Sequence, residues 1–116
     1  MPVGVDVEAV RPLDHAVLLA DVLAPGEPAP ADTAGFLAVW TAKEAYLKAL
    51  GRGLAVPMPS VVLDEERSRA RMAPPRHAPP ARLTRLALPA EHVGAVAVLG
   101  EGVPMVDSRD AADLLG

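Results

Sequence analysis

The chain has 116 residues, no cysteine and a net charge of −4. This length accommodates one domain with one core, and the lack of cysteine excludes disulfides and thiolate zinc sites. The acidic balance argues against nucleic acid as a partner, and no basic segment precedes a long apolar run. We therefore expect no signal peptide, no membrane contact and a cytoplasmic location.

The first elements in chain order are a strand and a helix. Apolar, β-branched residues at 3–7 predict a short strand. Residues 13–23 predict a helix that is apolar nearly all round, because only Asp14, His15 and Asp21 are polar. Such a helix is normally buried on more than one side, so we expect a homo-oligomer.

A second helix is predicted after a proline-rich connection at residues 24–31. Asp32 or Thr33 offers the N-cap, because the side-chain oxygen of either residue accepts a hydrogen bond from a free amide of the first turn. The helix should run to about Leu50 and end at Gly51, since glycine readily adopts the left-handed conformation that follows many helices.

Three further strands are predicted, at residues 60–63, 83–88 and 92–99, with an arginine- and proline-rich loop at 71–80. The last strand is apolar on both faces and should be central in its sheet. Residues 107–115 predict a short terminal helix.

Together these elements predict the α+β class, with a small, mostly antiparallel sheet packed on the long second helix. Residues 1–101 form the predicted domain and residues 102–116 a C-terminal tail. Within the domain, residues 67–85 carry six arginines and no acid. Arginine suits phosphate or an acidic protein surface, although a solvated loop explains this strip equally well.

Two carboxylates of the first strand point the same way. Asp6 and Glu8 lie two residues apart, and side chains alternate between faces along a strand. Adjacent carboxylates repel each other unless a cation lies between them, and Mg²⁺ takes carboxylate oxygens while it leaves positions for phosphate. The pair predicts a magnesium site, and a solvated acidic face on an edge strand is the alternative.

Lys43 is out of place in the second helix. At about 100° per residue it falls near the middle of an apolar arc that includes Trp40, Tyr46 and Leu47. A buried ammonium needs an anion, or it must extend its charge outward to water. If the lysine serves a bound anion rather than the fold, Lys43→Met should fold as well as the parent or better.

Glu44 borders the same arc, and Lys48 follows it by one turn. Lys43 and Lys48 are thus placed to hold an anionic ligand beside a carboxylate-bound metal. An ordinary Glu44–Lys48 helix pair, worth about a few tenths of a kcal/mol, is the alternative.

Two segments resemble the signature motifs of the 4′-phosphopantetheinyl transferase superfamily: GVDVE at 4–8 and WTAKEAYLKALGRGL at 40–54. The second, W-T-x-K-E-x-x-x-K followed by a G-x-G turn, is the specific one, and the closing HVGAVAVLGEG is similar to the family's last core strand. The resemblance implies a single transferase half that moves the 4′-phosphopantetheine moiety of coenzyme A to a serine of an acyl or peptidyl carrier protein.

By this resemblance Asp6, Glu8 and Glu44 match magnesium ligands, and Lys43 and Lys48 match lysines that contact the phosphates of coenzyme A. Glu44 and Lys48 would be catalytic, with Glu44 or a metal-bound water as the general base. The implied cofactor is Mg²⁺, and coenzyme A is the implied substrate.

The spacing of Asp6 and Glu8 is similar to the surfactin-synthetase type of transferase, whereas the chain length is similar to the holo-acyl-carrier-protein synthase type. The resemblance covers only the second half of the longer type, whose other half ordinarily supplies basic residues for the adenine and 3′-phosphate end of coenzyme A. Three interpretations remain. The chain is a homo-oligomeric transferase, or a catalytically incomplete half that acts as a binding subunit and needs another protein to hold coenzyme A, or a different metal-dependent phosphotransfer enzyme with the same acidic and basic residues.

Overall fold

The computed structural model describes residues 2–51, 56–89 and 91–100. The predicted terminal helix, the tail and the second glycine of the G-x-G turn lie outside these residues. The elements in chain order are β1 (Val3–Ala9), α1 (His15–Val22), α2 (Thr33–Leu50), a 3₁₀ turn (Met58–Ser60), β2 (Val61–Leu63), β3 (Arg69–Met72), β4 (Ala81–Arg85) and β5 (His92–Leu99). No helix in this part of the chain is long and apolar enough to cross a membrane.

The five strands form one antiparallel sheet in the order β1-β5-β4-β3-β2. The predicted α+β class is therefore confirmed. β5 pairs with β1 on one side and β4 on the other, and its residues 93–98 are all buried. The prediction of a central last strand is confirmed, because only a strand covered on both faces is apolar at every position.

Helix α2 lies across one face of the sheet, and both of its ends follow the local sequence rules. The Asp32 side chain accepts a hydrogen bond from the Gly35 amide at 2.7 Å, which confirms the N-cap. Gly51 ends the helix with φ +71°, as predicted. Phe36, Val39, Ala42 and other residues of α2 pack with alternate residues of the strands into the main core.

The opposite face of the sheet carries a second apolar cluster. It consists of Leu86, Val96 and Val98, with Val5, Val7 and Leu88 packed against them. No described helix belongs to this cluster, so the sheet presents apolar side chains on both of its faces.

Two expectations about the secondary structure are wrong. The predicted loop at 71–80 includes the end of β3, whose arginines point outward while Ala70 and Met72 are buried. Their outward charge made the segment look like a loop, whereas the alternation is that of a half-buried strand. The predicted strand at 83–88 is regular only over 81–85.

Within one chain, helix α1 is not buried on more than one side, and its burial against a second copy stays a prediction. Val22 is its one buried residue, and Val17 is 71% exposed. The helix is as apolar as expected, and the described residues leave its outer face uncovered.

Candidate active site

The candidate site lies where β1 and α2 touch, and Gly4 allows that contact. A Cβ atom on Gly4 would overlap the carbonyl oxygen of Ala45 and lie 2.5 Å from the amide nitrogen of Ala49. Both are backbone atoms of α2 and cannot rotate away. Only glycine lets the helix backbone approach the strand this closely, and Asp6 and Glu8 project from the same face of β1.

Lys48 reaches back from α2 to β1. Its ammonium lies 2.7 Å from Oδ1 of Asp6 and also donates to the Val5 carbonyl at 3.3 Å. The Asp6 carboxylate is buried, and its second oxygen, Oδ2, has no hydrogen-bond partner. A buried carboxylate oxygen without a partner is costly, and it marks a place where a further positive group would be stabilised.

Glu44 lies one turn before Lys48 on α2, where the negative charges of the β1 carboxylates act on it. Its pKa is raised, first by burial and then by the negative charges of Asp6 and Glu8, while the positive charge of Lys48 opposes the shift. The pKa of Lys48 is raised in turn, mainly by its hydrogen bond to Asp6. The three carboxylates therefore interact electrostatically around one lysine.

The carboxylates are not assembled as a metal cage. In the described segments no group of three or more His, Asp or Glu side chains is close enough together to hold a metal ion. Glu8 lies 3.7 Å from the guanidinium of Arg11 and is about one-third exposed, with 30% of its side chain accessible. The convergence of Asp6, Glu8 and Glu44 on one cation thus stays a prediction that requires side-chain movement.

Lys43 lies elsewhere, with 0% of its surface exposed. Its ammonium lies 2.7 Å from Oε1 of Glu27, and it also contacts three carbonyl oxygens, of Val22 at 2.7 Å, Val61 at 2.8 Å and Met58 at 3.3 Å. An ammonium has three protons, and here they face four acceptors. No donor of Lys43 is free for a phosphate in this arrangement.

This geometry bears on two expectations about Lys43. The sequence offered two possibilities for the ammonium, an anion beside it or extension to water, and Glu27 is the anion. The phosphate contact of Lys43 stays a prediction that this arrangement does not support. Lys43→Met should be less stable than the parent, contrary to the expectation from the sequence, because that substitution leaves the Glu27 carboxylate without its counter-ion. Glu27 was missed, although it is the only acid in the proline-rich connection 24–31.

Three arginines of the strip lie away from the candidate site. Arg69 and Arg71 of β3 and Arg82 of β4 alternate with buried residues that pack under α2, so they lie on the opposite face of the sheet. Arg69 and Arg82 are direct partners across the strands. Within one chain these arginines cannot contact a ligand held between Asp6 and Lys48.

A pocket of about 510 Å³ lies between the connection after α1 and strand β2. Its lining includes Leu23, Glu27, Val39, Leu63 and Arg67. Neither the three carboxylates of the candidate site nor Lys48 lines it, so this pocket is separate from the chemistry described above.

Comparison with known proteins bears on the identity of the chain. The sequence profile described as "4′-phosphopantetheinyl transferase superfamily" matches residues 2–97. The chain is similar to "4′-phosphopantetheinyl transferase psf-1" of Bacillus pumilus, with 31% identity over 88 residues. That similarity covers 67% of this chain but 37% of the length of the Bacillus protein.

Proposed function

This chain belongs to the 4′-phosphopantetheinyl transferase superfamily, and on that premise we propose that it transfers the 4′-phosphopantetheine moiety of coenzyme A to a serine of an acyl or peptidyl carrier protein. The observation that carries the proposal is the Asp6–Lys48 contact beside Glu44, which gathers negative and positive groups at one place between β1 and α2.

Mg²⁺ fits the residues at this place. Carboxylate oxygens are the donors that it prefers, and Oδ2 of Asp6 is buried without a partner. We propose that Asp6, Glu8 and Glu44 hold the ion, with Glu8 and Glu44, both partly exposed, able to turn toward it. When bound, Mg²⁺ would neutralise charge on the pyrophosphate of coenzyme A.

In the proposed reaction Lys48 binds a phosphate of coenzyme A, and Glu44 accepts the proton of the carrier-protein serine. The side chain of Lys48 is 50% exposed, so its ammonium can contact a phosphate while it remains beside Asp6. The serine hydroxyl forms a bond to the β-phosphorus of coenzyme A, and the bond from that phosphorus to the bridging oxygen breaks. The electron pair leaves with 3′,5′-ADP, and the serine proton passes to the Glu44 carboxylate.

We propose that the active form is a homo-oligomer. The outer face of α1 is apolar and open to water at Val17. Exposed apolar surface of this kind marks an association site.

The rival proposal is a catalytically incomplete half that binds coenzyme A only with another protein. It draws support from the similarity to the Bacillus transferase, which covers 37% of that protein. Under this proposal the chain is a binding subunit.

The two proposals differ in what the chain does alone. Purified chain at increasing concentration, with Mg²⁺ and coenzyme A, is incubated with a panel of apo carrier proteins, and modification of each carrier is measured by mass spectrometry. Modification of at least one carrier by the chain alone, with a rate that rises as oligomers form, supports the transferase. Modification only after a second protein is added supports the incomplete half.

A further inference from the structure

Strand β2 lies at one edge of the sheet, and no strand among the described residues pairs with its outer edge. The Ser60 carbonyl and the Asp64 amide are bonded on the β3 side, to Ala73 and Arg69. The Val61 carbonyl and the Leu63 amide therefore point away from β3, because alternate residues of a strand bond to opposite sides. Unpaired groups of this kind are normally a liability.

The buried Glu27–Lys43 pair satisfies both of these groups. Lys43 Nζ donates to the Val61 carbonyl at 2.8 Å, and the Leu63 amide donates to Oε2 of Glu27 at 2.9 Å. One donor and one acceptor, two residues apart, are what a neighbouring strand would offer to this edge. The ion pair takes the place of that strand.

The same pair ties α2 to the segments around it. Oε1 of Glu27 accepts from the Ala24 amide at 2.7 Å as well as from Lys43, and Lys43 donates to the last carbonyl of α1, at Val22. The connection after α1, helix α2 and strand β2 thus meet at one carboxylate and one ammonium. Lys43 immediately precedes Glu44 in the helix, so a fixed Lys43 fixes the rotation of α2 about its axis at the residue that faces β1.

We propose that Glu27 and Lys43 are positioning residues: their ion pair closes the edge of β2 and holds α2 in the one rotation that sets Glu44 and Lys48 against Asp6. Replacement of a buried ion pair by apolar residues is often neutral or stabilising. A pair with bonds to four segments is therefore better explained by the geometry it specifies than by the stability it adds. The claim about the catalytic residues rests on the proposed function, whereas the claim about the edge of β2 does not.

The first test is amide hydrogen exchange. In Glu27→Gln the amide of Leu63 should exchange at least tenfold faster than in the parent, while the central amides of β5 keep their rates. Glu65→Gln, on an exposed residue two positions after Leu63, is the matched control and should leave the exchange rate of the Leu63 amide unchanged. If the Leu63 amide exchanges at the same rate in folded Glu27→Gln as in the parent, the ion pair does not close the edge of β2.

The second test separates position from stability with the double variant Glu27→Leu/Lys43→Met. We expect its melting temperature without metal to equal or exceed that of the single variant Lys43→Met, because no buried charge is left alone. We also expect kcat for transfer to stay at least tenfold below the parent, with KM for coenzyme A within about threefold, and the rise in melting temperature caused by Mg²⁺ to be lost.

A double variant that regains both stability and transfer to within twofold of the parent would show that the pair only stabilises the fold, and would overturn the positioning role. If the parent itself transfers nothing, the proposed function fails, and the Mg²⁺-dependent melting temperature and the exchange of Leu63 still decide this inference. If the double variant does not fold, Lys43→Arg replaces it: the longer, planar guanidinium keeps the charge, so retained stability with lowered kcat supports positioning and unchanged kcat contradicts it.

Discussion

The ammonium of Lys48 lies 2.7 Å from Oδ1 of Asp6, and this contact joins the helix and the strand that carry the candidate site. The other oxygen of the same carboxylate has no partner. Asp6 therefore has one oxygen neutralised by the protein and one without a partner, and the proposed metal site uses the second.

Lys48→Met should fold but lose transfer. Removal of the ammonium leaves the buried Asp6 carboxylate without its partner, which should cost about 1–3 kcal/mol of unfolding free energy without metal. Transfer should fall by roughly 10²- to 10³-fold if Lys48 stabilises charge on the phosphates. Thermal unfolding and a steady-state transfer assay measure the two effects.

The Lys48 variant also tests whether one oxygen of Asp6 serves Lys48 while the other serves the proposed metal. Mg²⁺ should still raise the melting temperature of Lys48→Met, since both oxygens of Asp6 are then free, whereas Asp6→Asn should abolish that rise. Lys48→Arg is the control that keeps the charge. Full transfer by Lys48→Met would remove the residue from the catalytic set.

Glu44→Gln should stabilise the metal-free protein at neutral pH. The folded pKa of Glu44 lies above its usual value of 4.5. Between pH 4.5 and the folded pKa, the folded state therefore binds more protons than the unfolded state. The contribution of Glu44 is thus favourable below about 4.5 and is lost as the pH rises through the folded pKa.

In EDTA the melting temperature of Glu44→Gln should exceed that of the parent at pH 7, and the difference should shrink toward pH 4. The gain should be below about 1 kcal/mol, because Glu44 is partly exposed and solvent screens its repulsion by Asp6 and Glu8. A difference that is constant across this range would contradict the coupling of the three carboxylates.

Gly4→Ala should be strongly destabilising although it adds only one methyl group. The added carbon meets backbone atoms of α2 at Ala45 and Ala49, so the helix must move away from β1 at a cost of about 1–3 kcal/mol. Chemical denaturation measures the loss. Gly35→Ala is the control: its Cβ would meet the Asp32 side chain at 3.1 Å and Pro30 at 3.4 Å, and it should cost much less.

How far the sequence predicts this molecule depends on the range of the interaction. The N-cap at Asp32, the end of α2 at Gly51 and the central position of residues 92–99 were predictable, because each follows from adjacent residues. The resemblance of residues 4–8 and 40–54 to family motifs likewise identified the segments that meet at the site.

Features set by distant contacts were not predictable in the same way. The position of Lys43 in an apolar arc indicated that it needs an anion, but the chain does not say which one, and Glu27 lies 16 residues away. Strand β3 was not predicted, and its last two residues, Arg71 and Met72, fall in the loop predicted at 71–80. Its place in the sheet is fixed by its neighbours β2 and β4.

The chain should not be a monomer at micromolar concentration. Light scattering should give a mass that is a multiple of 12.0 kDa, and Val17→Glu, on the exposed face of α1, should shift the mass toward that of one chain. Glu65→Lys, on an exposed residue outside α1, is the control and should not. A single species of one chain's mass in the parent would contradict the proposed association.

The central claim is that Asp6, Glu44 and Lys48 form a phosphopantetheinyl transfer site, and a single-turnover assay with purified chain tests it most directly. The chain in excess is mixed with an apo carrier protein, coenzyme A and Mg²⁺, and the rate of serine modification is compared between the parent and Glu44→Gln. We predict measurable transfer by the parent and a rate at least about 100-fold lower for a fully folded Glu44→Gln. Equal rates for the two proteins, or no transfer by the parent to any carrier protein, would contradict the claim.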